Sequence, residues 1–362
     1  MNPEAVERFF GWIDNRHDIY RKRAAGQPPP WTTDPILQRY KFTNPFREND
    51  RVTVWMRNNW TKPNDGQQSH EILFNCCLFR MVGTSEFAQE HGWVELGAPF
   101  DNPTRGWNPE KTKAIIQARK DNKQKTFTRA YIITNQGIKA PKSEVVVDHF
   151  LKPVYENRHK LAEVARDTNS LQEMHSALSE YPGWGGGGFM AYEVVTDLNY
   201  TSVLENAHDR FTWANAGPGA KRGLNRLLGE PLEKSMRQPV ANSKMHSLLQ
   251  VKEEFSTLPL ETQKSIDMRT IEHSLCEWDK YERVRLKQGR PRSTFKTGDY
   301  LSRNAVEGPV SCQIRAPYKS GGYQGYTMKT EKNLRKTPKQ GCTIVQVAES
   351  YLLSRNSLNT SI

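Results

Sequence analysis

The residues best suited to chemistry lie in one stretch, Tyr181-Pro-Gly-Trp-Gly-Gly-Gly-Gly-Phe-Met-Ala-Tyr-Glu-Val-Val-Thr-Asp197. Glycines in a turn let backbone N–H groups come close to an anion, and a helix starting behind them adds its positive end. Gly183, Gly185 and Gly187 are therefore candidates to grip a DNA phosphate without reading sequence. A plain flexible loop would have the same composition. Gly217-Pro-Gly-Ala-Lys-Arg222 is a second turn into a helix. Lys221 and Arg222 there oppose the helix macrodipole, a conflict that a bound phosphate relieves, unless both face solvent. Glu193 and Asp197 stand four apart on one helix face. They would bind an amine, position a further carboxylate, or pair with Arg or Lys. Asp209 precedes the polar-aromatic run Arg210-Phe-Thr-Trp-Ala-Asn215 and either acts on substrate or caps the helix beginning there. Trp213 and Asn215 suit stacking on a base and hydrogen bonding to its edge; Trp213 would equally fit a core. Trp31, Asp34, Asn44 and Arg47 form another such set in loops, where sites concentrate, although packing on the first helix also explains Trp31.

Other chemistries are poorly served. Glu272, His273, Glu277, Asp279 and Lys280 share one predicted helix, but His273 and Glu277 find no third ligand, so a salt-linked surface is expected rather than a metal. The five cysteines, Cys76, Cys77, Cys276, Cys312 and Cys342, show no paired spacing and read as buried thiols. Neither Gly-x-x-x-x-Gly-Lys-Ser/Thr nor the zinc deaminase signature occurs. The expected site is metal-free, cofactor-free and built on carboxylates.

The elements that must position these residues are helices. Val6, Phe9, Phe10, Ile13 and Ile19 approximate a 3.6-residue period over Glu4 to Arg23. Asp34-Pro-Ile-Leu reads as an N-cap with proline at the first helical position. Further helices are expected over Glu71 to Val82, Pro109 to Asp121, Ser143 to Asp167, Ser170 to Ser179, from Phe189, and over Val240 to Leu286. The last presents Ile271, Leu275 and Trp278 on one face. Ala130-Tyr-Ile-Ile-Thr is the one tempting strand, and Thr343 to Leu353 would close the chain with a helix. The class is mainly α, with a helical domain over 1–295 and a basic extension over 296–362.

Charge points to the partner. The 362 residues carry 52 Lys+Arg against 40 Asp+Glu, a net of +12. Between Tyr281 and Gln340 the count is 14 against 4, a surplus of +10. Such a cluster gains affinity for a polyanion by releasing counterions, although a solvated basic tail is the plainer reading. No run reaches 18 apolar residues and the N-terminus lacks a signal pattern, so a soluble, cytoplasmic monomer away from membranes is expected.

Two resemblances refine this. A Pro-Gly-x-Gly hairpin followed by a small residue (Ala191) and apolar partners (Val194, Val195) resembles the helix-hairpin-helix DNA glycosylase superfamily, with the hairpin unit at about 170–197. That resemblance implies a catalytic carboxylate at Asp209, 18 residues beyond Ala191, where the family spacing is about two shorter. The hairpin also carries two extra glycines, and Gly188 and Phe189 stand where bifunctional members carry a lysine. Five motifs then recur in order: Arg16-His-Asp-Ile-Tyr-Arg-Lys-Arg23, Pro30-Trp-Thr-Thr-Asp-Pro-Ile-Leu37, Phe42-Thr-Asn-Pro-Phe-Arg-Glu-Asn-Asp50, Trp213 to Asn225, and Glu272 to Tyr281. Together they resemble the helical-domain family of 5-hydroxymethyl-deoxyuridine DNA kinases, formerly α-glutamyl/putrescinyl-thymine pyrophosphorylase, which includes phage amino acid:DNA transferases. This implies work on 5-hydroxymethyl-derived pyrimidines in double-stranded phage DNA. With no phosphate-cradling loop, the expectation is a monofunctional glycosylase serving anti-phage defence: it flips out the modified base, and Asp209 supports excision. Amino acid transfer to an activated base, or DNA binding without catalysis, are the alternatives.

Overall fold

Asn2 caps the first helix, α1 (Pro3–Ala24), through its side chain (3.3 Å to the Ala5 N–H), and Arg21, Lys22 and Arg23 complement the opposite end of its dipole. The computed structural model describes residues 1–96, 106–128, 133–291 and 293–295. Asp34 caps the short α2 (Pro35–Arg39), accepting from the Ile36 and Leu37 N–H groups at 2.7 and 3.0 Å. The centre is α3 (Ser69–Val82), buried at every residue from Glu71 to Val82. α4 (Pro109–Asp121) packs on residues 145–151, α5 (Arg158–Thr168) and α7 (Phe189–Leu198) pack on α3 itself, and α6 (Leu171–Ser179) packs on those two. A second layer comprises α8 (Pro218–Leu228), α9 (Gln238–Gln250) and α10 (Met268–Arg285).

The protein is mainly α, as the periodicity predicts; among the described residues, β pairing is limited to a bridge between Tyr40 and Thr294. The 143–167 helix is interrupted. Pro153 cannot donate to the ladder, and the chain widens into a π-helix over Val145–Leu151 and breaks at Asn157 before α5. The 240–286 helix likewise divides: Pro259 separates Lys252–Phe255 from Leu260–Lys264, and Asp267 caps a fresh start at Met268. Residues 130–132 of the suspected strand lie outside the described residues, as do the basic extension and its terminal helix; Ile133 and Thr134 form no strand.

Two contacts fix the frame of the site. α8 lies so close to α10 that a Cβ on Gly223 would stand 2.6 Å from the Leu275 carbonyl oxygen; Ile271, Leu275 and Trp278 fill the space beneath. Phe9 meets Trp278 edge-on, at 5.7 Å between ring centres, and so joins α1 to the same core. On the other side Arg80 of α3 pairs with Asp197 of α7, the guanidinium fully buried. No helix among the described residues is long and apolar enough to cross a membrane.

Candidate functional site

α7 carries the site on one face. Tyr192, Val195, Thr196 and Asn199 follow i, i+3, i+4, i+7 spacing and line a pocket completed by Leu171, Tyr200, Arg210, Trp213 and Arg269. Its empty space, about 320 Å³, includes open solvent at its mouth. Aromatic rings form its walls: Trp213 packs against Tyr192 and His175, with ring centres 5.6 and 5.2 Å apart. Two polar atoms around it, Arg269 Nε and Asn199 Oδ1, are buried without a hydrogen-bond partner, and the Tyr192 hydroxyl lies against the Arg269 guanidinium. Leaving groups such as Arg269 Nε and Asn199 Oδ1 unpaired is costly, and both residues line this pocket.

Beneath the pocket sits an ion network. Glu193, 2% exposed, accepts from Arg47 Nη2 and Arg269 Nη2, both at 2.5 Å. Arg47 also reaches Asp50 (3.0 Å), and Arg269 approaches Glu272 (3.4 Å) with its guanidinium carbon 4.5 Å from the Tyr192 ring centre. Burial opposes the charge on Arg269, but Glu193, Tyr192 and Glu272 hold it protonated, with its pKa above the ordinary value. Burial raises the Glu272 carboxyl to about 7 against the pull of Arg269. Burial, with Arg269 and Arg47 nearby, lowers His273, which shares a 2.6 Å hydrogen bond with Thr43. Burial also raises the Tyr192 phenol. Glu272, Glu277 and Asp279 are buried, so the salt-linked surface expected on this helix is an interior network. Among the described residues no cluster of three or more His, Cys, Asp or Glu side chains is arranged to hold a metal.

The predicted residues divide between this site and other roles. Trp213 lines the pocket, and Arg47 and Glu193 stand under it. Asp197 does not join them; both its oxygens accept from Arg80. Asp209 accepts from Ser170 Oγ (2.7 Å) and from the Leu171 and Gln172 N–H groups (2.8 and 2.9 Å). It caps α6 across the chain, rather than the segment that follows it. Asn215 donates to the Gly187 carbonyl (2.9 Å) and accepts from Gln238, tying the glycine turn to α9. Asp34 caps α2 and accepts from the Tyr281 hydroxyl at 2.6 Å, and Asn44 donates to the Asn49 carbonyl at 2.9 Å. Trp31 lines a separate pocket beside Arg16, Tyr40 and Phe42. Arg222 is engaged by Asp279 (3.2 Å), whereas Lys221 is half-buried.

The glycine turn is more firmly built than a flexible loop. Trp184 within it is fully buried and donates to the Phe150 carbonyl at 3.0 Å. Gly183 (φ +87°) lies against the Phe150 ring and its N–H donates to Gln136, so neither packing nor hydrogen bonding leaves it for a phosphate. A Cβ on Gly185 would stand 2.6 Å from the Ser179 carbonyl oxygen. Gly186 and Gly187 are the exposed members.

Sequence reasoning missed Arg269, Tyr192 and Asn199. A signal existed for the first. Arg269 stands in the first turn of α10, the same opposition to the dipole that singled out Lys221 and Arg222. Tyr192 and Asn199 lie on a helix whose apolar neighbours mask them.

The comparisons with known proteins bear on this pocket. The family model described as the helical domain of 5-hmdU DNA kinase matches residues 3–290. The chain belongs to this family. One relative, the 5-hmdU DNA kinase of Bacillus phage SP10, is 27% identical over 293 residues, covering 75% of this chain and 44% of that protein. The chain thus spans less than half the length of the curated relative it matches. No solved structure matches. The glycosylase expectation is overturned here, and the defence role tied to it lapses. The relative is named a kinase, which transfers a group rather than hydrolysing an N-glycosidic bond. The missing phosphate loop had argued against the kinase name; it does not outweigh a family match over residues 3–290.

Proposed function

We propose that this chain is a DNA-modifying transferase domain that seats a 5-hydroxymethyluracil base in the Tyr192–Trp213 pocket for group transfer to the 5-hydroxymethyl substituent. The supporting observation is the set of unpartnered polar atoms between aromatic walls, within a family named for this base. Uracil offers acceptor, donor and acceptor along its pairing edge; the Tyr192 hydroxyl and Arg269 donate, and Asn199 Oδ1 accepts. Stacking on Trp213 and Tyr192 offsets the cost of extruding the base from a duplex. In this reading α6, the glycine turn and α7 act as a helix-hairpin-helix unit. The exposed Gly186 and Gly187 stand beside a DNA phosphate.

Phosphoryl transfer is the reaction to which the relative's name points. A second reaction fits the same pocket: an amine displaces pyrophosphate from an activated 5-methyl carbon. Arg210 and Arg269, both lining the pocket, would receive the departing anion. One experiment tests both. Full-length protein is incubated with 5-hydroxymethyluracil DNA and ATP, and with pyrophosphorylated DNA and amino acids; nucleosides are then analysed by mass spectrometry. A phosphoryl mass gain in the first arm supports the kinase reading, and an amine adduct in the second supports the alternative. Unmodified nucleosides in both arms would overturn the proposal.

A further inference from the structure

Away from the pocket, α8 and α10 meet with an uneven charge count. Asp279 on α10, 0% exposed, accepts from Arg226 Nε (2.8 Å) and Arg222 Nε (3.2 Å), and Arg283 Nε lies 3.4 Å away. One carboxylate therefore serves three guanidinium groups, leaving a local charge of +2. The nearest other carboxylates on α10 are engaged: Glu277 with Lys280, and Glu282 with Arg285. Hydrogen bonding is also incomplete. Arg226 Nη2 and Arg283 Nε are buried atoms without an acceptor, and the Arg226 side chain is only 7% exposed. A staple between two helices needs one arginine and one aspartate. Three close cations repel one another and orphaned donors carry a cost; a second anion relieves both.

We propose that Arg222, Arg226 and Arg283 form a phosphate site that holds the DNA backbone, separate from the base pocket. The site extends the proposed function, since it rests on DNA as the partner. Planar guanidinium forks suit phosphate oxygens. Asp279 lies ten residues beyond Arg269 on α10, roughly 15 Å along the axis at 1.5 Å per residue. That is the axial length of about four base pairs at 3.4 Å each. The separation along the helix axis is one that a short stretch of DNA can span.

The test uses the full chain carrying Arg222→Gln and Arg283→Gln, both partly exposed, which leaves the Arg226–Asp279 pair to join the helices. Affinity for an unmodified 30-base-pair duplex is measured by fluorescence anisotropy across a salt series. The slope of log K against log salt should become shallower by about 1–2, with affinity lost about equally on unrelated sequences. Each single variant should carry about half the change, so a double variant that fails to fold does not end the test. In a parallel arm, inorganic phosphate should raise the melting temperature of the wild-type protein more than that of the variant. An unchanged slope in a folded variant overturns the proposal; if phosphate still stabilises selectively, the site serves free phosphate instead. Because the duplex is unmodified and no co-substrate is present, failure of the pocket reading would appear separately, as absence of product from the wild-type protein.

Discussion

Glu193 and Asp197 occupy the same helix, four residues apart, and from sequence they are equivalent candidates. The structure gives them opposite surroundings. Asp197 meets Arg80 two-to-two, both carboxylate oxygens accepting from a guanidinium at 0% exposure. Glu193 receives two arginines, and one of them, Arg269, lines the pocket with an unpaired Nε. A buried charge matched on all sides is a fastening between α3 and α7. One whose partners keep spare donors at a cavity is equipped for a ligand.

The largest effect that can break this comparison is on stability. Arg80→Met leaves Asp197 buried without its partner and should cost about 3–5 kcal/mol, read as a fall in the urea midpoint. Adding Asp197→Leu should recover most of that loss, because replacing both members of a buried pair with apolar groups is often near neutral. Should the double variant stay as unstable as the single, the pair does more than join two helices.

Glu193→Gln should reverse the pattern. The amide still accepts one hydrogen bond, so the urea midpoint should fall less than for Arg80→Met. Product formation should drop by about two orders of magnitude, the scale of a misplaced electrostatic group, as Arg269 loses its anionic anchor. A folded Glu193→Gln protein with wild-type turnover would make this network a second fastening.

The pH response separates the network from the fastening again. The folded protein keeps the Glu272 proton up to about pH 7, whereas an unfolded chain releases it near 4.5. The folded state therefore binds more protons between these values. Its contribution to stability is full below 4.5 and is lost as pH rises through about 7. Glu272→Gln should abolish that loss, narrowing the difference in unfolding free energy from urea melts at pH 5 and pH 8 by up to about 3 kcal/mol. An unaltered difference would place the titration elsewhere.

What the sequence disclosed follows the range of the forces involved. Helix starts were legible because caps are local: Asp34 before Pro35 and Ser170 before Leu171 act within three residues. Pairings were not legible. Arg80 and Asp197 are 117 positions apart, Arg47 and Glu193 146, and nothing in their neighbours names the partner. Asp209 shows the limit most clearly. Its capping chemistry could be read from its type, but the helix it caps begins 38 residues earlier.

Asp209→Asn tests that reassignment. Losing the charge at the start of α6 weakens the bonds to the Leu171 and Gln172 N–H groups, for an expected cost of about 1–2 kcal/mol. Turnover should fall no further than the loss of folded protein explains. Abolished turnover at an unchanged urea midpoint would return Asp209 to the chemistry and shift attention from Glu193.

The smallest effect concerns the glycine turn. Gly186 has φ of +71°, so a side chain there strains the backbone even though the space is open. Gly187 needs no left-handed conformation, is exposed, and a Cβ on it would meet nothing within 4 Å. Gly187→Ala should therefore leave the melting temperature within about a degree and the Asn215 bond to the residue 187 carbonyl in place. Any change in DNA affinity then reports what approaches the turn from outside. If a phosphate sits against these N–H groups, the added methyl should weaken duplex binding by about two- to fivefold, uniformly across sequences, consistent with one backbone contact among several. Unchanged affinity would confine the turn to an internal role, with Trp184 and Asn215 holding α7 so that Tyr192 faces its pocket.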